Sequence, residues 1–160
     1  LIVEGVGGIN RFSYVDLKEL SCRWAGVLAA HGFKTGDRLF IFLPVCPEIY
    51  ITMLACSRLG VIFCPLYITL SFDELERRIR DAEPRGILTH PDLLERLPME
   101  HMASVDKIFL TEGPLNGSLS NEVLVRDLLP QMPKDLEPKW LHADAPLYLI
   151  YSSGLSLIHI

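Results

Sequence analysis

The chain has 160 residues, enough for one domain with a core of its own, and 49% of them are hydrophobic. Its net charge of −5 at pH 7 argues against nonspecific nucleic-acid binding, which needs a basic surface. No apolar run reaches the ~18 residues of a membrane span, and the first residues lack the pattern of a signal peptide.

The cysteine and histidine content indicates neither disulfides nor a metal site. The four cysteines lie in apolar segments and form no CxxC pair, which predicts free buried thiols and a cytoplasmic protein. The histidines share no ligand spacing, so no metal ligands are predicted. His90 precedes Pro91 and has no carboxylate at a motif spacing, so we interpret it as a turn residue.

The first residues predict a β-hairpin. Two short runs, Leu1–Val3 and Arg11–Tyr14, flank a glycine-rich segment that ends at Asn10. Gly5-Val6-Gly7-Gly8 is interpreted as the hairpin turn, because a dinucleotide-binding loop needs a third glycine and a helix directly after it.

A helix, a buried strand and a second helix follow. Ser13 begins a capping-box sequence, and apolar residues then recur at intervals of three and four up to the stop signal at Gly32. The nearly continuous apolar run Arg38–Leu43 is typical of a strand buried on both faces. Pro47 suits the first position of the next helix, which is predicted to end at Gly60.

Strands and helices continue to alternate to the end of the chain. The remaining predicted strands are Val61–Cys64, Gly86–Thr89, Lys107–Leu110 and Leu147–Tyr151, and the predicted helical segments are Ser71–Ala82, Pro91–Leu97 and Val123–Leu129. This order predicts an α/β fold with a mostly parallel sheet and flanking helices. Ligands bind beyond the carboxyl ends of such strands, where Tyr67–Leu70 and Ser152–Gly154 are expected.

The segment after the last predicted strand has the composition of a phosphate-binding loop. Ser152, Ser153 and Gly154 can present N–H and O–H donors to an anion. On residue types alone, a polar turn at the end of a strand remains an alternative. The loop breaks off after its first glycine, because Leu155–Ile160 contain neither glycine nor lysine.

The order of several short motifs is similar to that of the adenylate-forming enzymes, the AMP-binding acyl-CoA synthetases and their relatives. These motifs are Gly36-Asp37-Arg38, Pro44-x-x-Pro47-Glu48, Arg58-Leu59-Gly60, Pro65-Leu66-Tyr67 and Tyr151-Ser152-Ser153-Gly154. The last falls where that family carries Tyr-Thr-Ser-Gly-Ser-Thr-Gly-x-Pro-Lys-Gly. The resemblance extends from Leu1 to Gly154 and implies the N-terminal part of an adenylate-forming fold.

Within this family the chain looks most like bacterial acetyl-CoA synthetases. The similar segments are Asp37–Arg58, Pro91–Pro98 and the position of Trp140 before the last predicted strand. The resemblance implies a two-step reaction that uses ATP, Mg²⁺, CoA and a carboxylic acid, most simply acetate. The carboxylate attacks the α-phosphate and releases pyrophosphate, and the CoA thiol then displaces AMP.

The resemblance also assigns site residues. Ser152, Ser153 and Gly154 match the start of the ATP phosphate loop, with Ser152 in place of the usual threonine. Tyr67 and Thr69 stand where acetyl-CoA synthetases have a Phe-Gly-Gly turn near CoA, with packing as the alternative role. Arg96 stands near the arginine that approaches the CoA 3′-phosphate, with a solvated helix face as the alternative.

Other functions stay open at this point. The alternatives are a medium- or long-chain acyl-CoA ligase, adenylation without CoA, as in peptide-synthetase adenylation domains or luciferase-like oxidases, and a non-catalytic α/β binding module. The residues that would separate these classes, in the acyl pocket and the C-terminal lid, are not in the chain.

The ends of the chain lead us to expect a piece of a longer protein that is inactive by itself. There is no starting methionine, and residues 1–154 read as part of an AMP-binding domain. Residues 155–160 are expected to be a non-native tail. One encoding of them, CTG TCT CTT ATA CAC ATC, is the mosaic end of transposase adapters used in DNA sequencing. A genuine strand is the alternative, and the nucleotide sequence distinguishes the two.

Overall fold

The computed structural model describes residues 1–5, 8–102, 104–113 and 121–152. Its strands are β1 (Ile2–Gly5), β2 (Gly8–Arg11), β3 (Arg38–Phe42), β4 (Ile62–Leu66), β5 (Gly86–Thr89), β6 (Lys107–Leu110) and β7 (Glu122–Leu124). Its α-helices are α1 (Tyr14–Ala30), α2 (Pro47–Leu59), α3 (Phe72–Ala82) and α4 (Val125–Leu128). Short 3₁₀ helices cover Pro91–Arg96, Met99–His101 and Leu129–Gln131.

The predicted helix boundaries are confirmed where local chemistry sets them. Ser13 and Ser71 each cap a helix in a reciprocal capping box, with Asp16 and Glu74 as the respective third helical residues. At the other end of α2, Gly60 takes the left-handed conformation that stops a helix, with φ of 71°. The hairpin of β1 and β2 is confirmed as well.

A parallel sheet forms the centre of the fold. Its strands lie in the order β4-β3-β5-β6-β7, and each neighbouring pair is parallel. Helices α2 and α3 and the 3₁₀ helices after β5 connect the strands from β3 to β6 along the chain, as the crossovers of parallel pairing require. All carboxyl ends of these strands therefore lie at one edge of the sheet, and all amino ends at the other.

The sheet is buried on both faces. In β3, Leu39 and Ile41 belong to the core beneath α1 and α2, whereas Phe40 and Phe42 belong to the core beneath α3. All four side chains are at most 1% exposed, and burial of one such side chain contributes about 1.5–3 kcal/mol. This double burial explains the continuous apolar run in the sequence.

Two predicted elements are wrong in extent. Leu147–Tyr151 is not a buried strand: it meets the sheet through one bridge, from Tyr148 to Phe63 of β4, and Leu147 and Ile150 are 50% and 65% exposed. Among the described residues nothing pairs with its outer side, so backbone pairing does not extend along it. Residues 123 and 124, predicted as helical, instead form part of β7.

Two sequence-level expectations concern burial and membranes. Three cysteines are buried, Cys46 is half-buried, and all four are free thiols, as predicted. In the part of the chain that the structure describes, no helix combines the length and hydrophobicity needed to cross a bilayer. The expected non-native tail, residues 155–160, lies outside the described residues.

Candidate functional site

The turn after β4 presents two polar side chains at the carboxyl edge of the sheet. It is closed by the N–H of Leu70, which donates to the carbonyl of Tyr67 at 3.2 Å. Ile68 and Leu70 pack into the core beneath α3. Tyr67 is 78% exposed, and Thr69 is exposed as well. The alternation of buried and exposed residues thus directs Tyr67 and Thr69 away from the core.

Arg96 supports this turn through two hydrogen bonds to backbone carbonyls. Its guanidinium donates from Nη1 to the carbonyl of Ile68 and from Nη2 to the carbonyl of Leu70, the latter at 2.8 Å. Its Cζ lies 5.5 Å from the ring centroid of the fully buried Phe42. Arg96 therefore does not lie on a solvated helix face, which was the alternative drawn from sequence.

The last described segment runs alongside β4 to the same edge. The N–H of Leu149 donates to the carbonyl of Phe63 at 3.0 Å, and the rings of Tyr148 and Phe63 stack with centroids 5.9 Å apart. The bridge is parallel, so the chain leaves this segment at the carboxyl edge. Ser152, the next residue after Tyr151, is exposed there.

Tyr151 anchors the segment to α3. Its hydroxyl donates to Oδ2 of Asp81 at 2.7 Å, and the guanidinium carbon of Arg78 lies 5.3 Å from its ring centroid. Burial, followed by the neighbouring Asp81 carboxylate, raises the pKa of the Tyr151 phenol well above its usual value. The phenol therefore stays protonated at neutral pH and acts as a fixed donor.

A cavity of about 280 Å³ lies between these two parts of the edge. Its lining is mostly apolar and includes Leu43, Pro65, Tyr67, Arg78, Ile150 and Tyr151. Such a concave apolar site with one cation suits a small ligand that carries an anionic group. A larger cavity of about 680 Å³ lies between α1 and α2 on their exposed side, and Tyr67, Arg96 and Ser152 do not line it.

Cys46, which precedes α2 near this cavity, is not an activated nucleophile. Burial raises the pKa of its thiol to about 12, and the hydrogen bond with Glu48 acts in the same direction. A thiol with that pKa is neutral at physiological pH, and the thiolate is the reactive species.

A hydrogen bond between a histidine and a carboxylate at this edge was not predicted from the sequence. His90 follows β5 and Glu112 follows β6; the two side chains meet with Nε2 and Oε1 2.8 Å apart. The Nδ1 of His90 accepts from the N–H of Asp92 at 3.2 Å, so Nε2 is the donor in the hydrogen bond to Glu112. His90 caps the 3₁₀ helix that begins at Pro91, in keeping with its interpretation as a turn residue, and its carboxylate partner lies 22 residues away, at no motif spacing. The only usable signal was that both residues directly follow parallel neighbouring strands.

The structure brings part of the predicted site together. Tyr67 and Thr69 lie in one turn, and Arg96 supports that turn through hydrogen bonds to its carbonyls. Ser152 lies at the same edge of the sheet. Ser153 and Gly154 lie outside the described residues. Within the described residues, no group of three His, Cys, Asp or Glu side chains could hold a metal ion.

These features can be compared with known proteins. The family model of the AMP-binding enzymes matches residues 2–154, and the chain therefore belongs to this family. An acetyl-coenzyme A synthetase of Syntrophus aciditrophicus is 30% identical over 89% of the chain and 24% of its own length. One from Bacillus subtilis is 29% identical over 91% of the chain and 25% of its length.

Solved structures show the same fold. An acyl-CoA synthetase of Brucella canis superposes with a TM-score of 0.86 at 19% identity, over 96% of this chain and 28% of that one. At such identity the likeness concerns the fold alone. The chain spans about a quarter of the length of the curated relatives that it matches.

Proposed function

We propose that the chain is the N-terminal part of an acid–CoA ligase. In the first step a carboxylate attacks the α-phosphate of ATP and forms an acyl-adenylate with release of pyrophosphate. In the second step the CoA thiol displaces AMP. Acetate is the proposed acid, because the named relatives at about 30% identity are acetyl-coenzyme A synthetases. In this proposal residues 1–154 form the AMP-binding part.

The observation that carries the proposal is the meeting of two segments at one edge of the sheet. Ser152 leaves a segment bridged in parallel to β4, and the turn that begins at Tyr67 follows β4 itself. In parallel α/β sheets this edge is where ligands bind. The 280 Å³ cavity lies between the two segments.

Each segment has a proposed role. Ser152, with Ser153 and Gly154, would present preorganised donors to the phosphates while charge moves to the leaving pyrophosphate. The exposed hydroxyl of Ser152 suits a phosphate oxygen. Tyr67 and Thr69 would lie beside CoA, and the phosphate contact expected for Arg96 stays a prediction.

Magnesium would be held mainly by the phosphates of ATP, since the described residues offer no cluster of ligands for it. The last six residues contain neither lysine nor glycine. We therefore propose that the 160-residue chain alone forms no acyl-adenylate, which a pyrophosphate-release assay with ATP and acetate would test.

An assay of the complete protein tests the proposed function. It should be given ATP, CoA and a panel of acids, with pyrophosphate and thioester measured in parallel. A kcat/KM about tenfold higher for a long-chain or aromatic acid, about 1.4 kcal/mol in transition-state binding, would overturn acetate. Pyrophosphate without thioester would indicate adenylation without CoA, and neither product would indicate a binding module.

A matched pair of variants tests the phosphate loop. In the complete protein, Ser152→Ala should slow pyrophosphate release because it removes the hydroxyl donor. Ser152→Thr should keep the rate, since threonine retains the hydroxyl and is the usual family residue. Equal rates for both variants would remove Ser152 from the proposed site.

A further inference from the structure

The turn after β4 is short of backbone donors for its own carbonyls. The carbonyl of Tyr67 accepts from the N–H of Leu70. The carbonyls of Ile68 and Leu70 instead accept from the guanidinium of Arg96, across 28 and 26 residues of sequence. A side chain from a different connection therefore determines how this turn sits on the sheet.

The guanidinium of Arg96 is itself fixed by its surroundings. Arg96 ends the 3₁₀ helix that follows β5, it is half-buried, and its guanidinium lies over the ring of Phe42. Among the described residues, no carboxylate lies within ion-pair distance of it. A planar guanidinium can serve two carbonyls at once in a fixed geometry, which a lysine ammonium cannot reproduce.

We infer that Arg96 is a positioning residue: it fixes the turn Tyr67–Leu70 so that Tyr67 and Thr69 face the ligand at the carboxyl edge. It acts through the backbone of the turn rather than by contact with one ligand group. The ligand in question is the CoA of the proposed function, on which this part of the inference rests. Loss of Arg96 should thus weaken the binding of the whole ligand.

The first experiment needs no activity and uses the 160-residue chain. Hydrogen exchange of the Leu70 amide would be compared in the unaltered chain, Arg96→Lys and Arg96→Met, with the exposed Arg77→Met as the matched control. Protection of Leu70 should fall about threefold in both Arg96 variants, about 0.6 kcal/mol of local opening, and stay unchanged in the control. Unchanged protection in the Arg96 variants overturns the inference.

A measurement on the unaltered chain covers the case in which the variants do not fold. The Nη groups of Arg96 should give separate, slowly exchanging NMR signals, since both are bound to carbonyls. Averaged signals from free rotation of the guanidinium would contradict the arrangement.

The second experiment separates positioning from a phosphate contact, in the complete protein. KM would be measured for CoA and for dephospho-CoA, which lacks the 3′-phosphate, before and after Arg96→Lys. Positioning predicts that both KM values rise by the same factor while kcat changes little. A rise for CoA alone overturns the inference in favour of a phosphate ligand. If the protein makes no thioester, the proposed function fails and hydrogen exchange alone decides the role of Arg96.

Discussion

The two edges of the parallel sheet are each built around a partly buried arginine, and the two arginines have different partners. At the amino edge, Arg85 pairs with Asp37 at 2.8 Å and Asp106 at 3.0 Å and also donates to the carbonyl of Gly32. At the carboxyl edge, Arg96 donates to neutral carbonyls only, among the residues described. Carboxylates therefore balance the positive charge of Arg85, whereas the partners of Arg96 leave its charge unbalanced.

This difference indicates which edge is closed and which is open to ligands. The hydrogen bond that Arg85 donates to Asp37, together with the one to Asp106, raises the pKa of its guanidinium, as expected for a compensated cation. Arg78 repeats the arrangement of Arg96, since it donates to the carbonyl of Glu74 and lies over Tyr151. Of the two, Arg78 lines the 280 Å³ cavity, and a cation at a cavity attracts anionic ligands.

The largest effect is expected where the amino edge is packed most tightly. A Cβ on Gly86 would lie 2.6 Å from Cζ of Phe33 and 3.2 Å from the carbonyl oxygen of Lys107. Gly86→Ala should therefore destabilise the chain by about 2–3 kcal/mol, measured by urea unfolding. In a Phe33→Leu background the added cost should fall by about 1 kcal/mol or more. If the free-energy costs of Gly86→Ala and Phe33→Leu simply add, the contact with Phe33 is not the reason that Gly86 cannot carry a Cβ.

A direct comparison of the two arginines should give the next largest effect. Arg85→Met removes bonds to three segments of the chain and should cost about 1–2 kcal/mol of global stability. Arg96→Met should cost less than about 1 kcal/mol in the same assay, because it releases one turn. Equal losses in urea unfolding would mean that the carboxyl edge is as much a structural element as the amino edge.

Elements set by local interactions could be predicted from the sequence. The boxes begun by Ser13 and Ser71 join residues three apart, and Gly60 needs only its own backbone to stop α2. The strand Arg38–Phe42 was recognisable because a double-sided core needs an uninterrupted apolar run. These interactions are decided within a few residues.

The rest of the site depends on long-range contacts that no local pattern shows. Arg96 finds its carbonyls 26 and 28 residues away, and Tyr151 finds Asp81 at a separation of 70. The apolar composition of Leu147–Tyr151 predicted a buried strand, because composition does not show how many neighbours pair with a strand. The family resemblance supplied the candidate residues but not these contacts.

The Tyr151 contact can be tested at the carboxyl edge. Tyr151→Phe removes the hydrogen bond to Asp81 and should weaken the attachment of the last segment by about 1 kcal/mol. Hydrogen exchange of the Leu149 amide, which donates to Phe63, should report the loss. The control is Tyr148→Phe, which keeps the ring stacked on Phe63. A loss in the control as large as in Tyr151→Phe would show that the hydrogen bond to Asp81 is not what anchors this segment.

The smallest effect concerns acid pH and the start of α3, directly after the turn held by Arg96. The backbone N–H and then the hydroxyl of Ser71 lower the pKa of Glu74 below its ordinary value of 4.5. A depressed carboxyl pKa contributes stability above about pH 4.5 that is lost as the pH falls through the lower, folded value. The Ser71 amide shift should therefore titrate with a midpoint below 4.5, whereas Glu74→Gln, which keeps an acceptor, should show no transition there. A midpoint at or above 4.5 would show that the capping box does not hold Glu74 ionised.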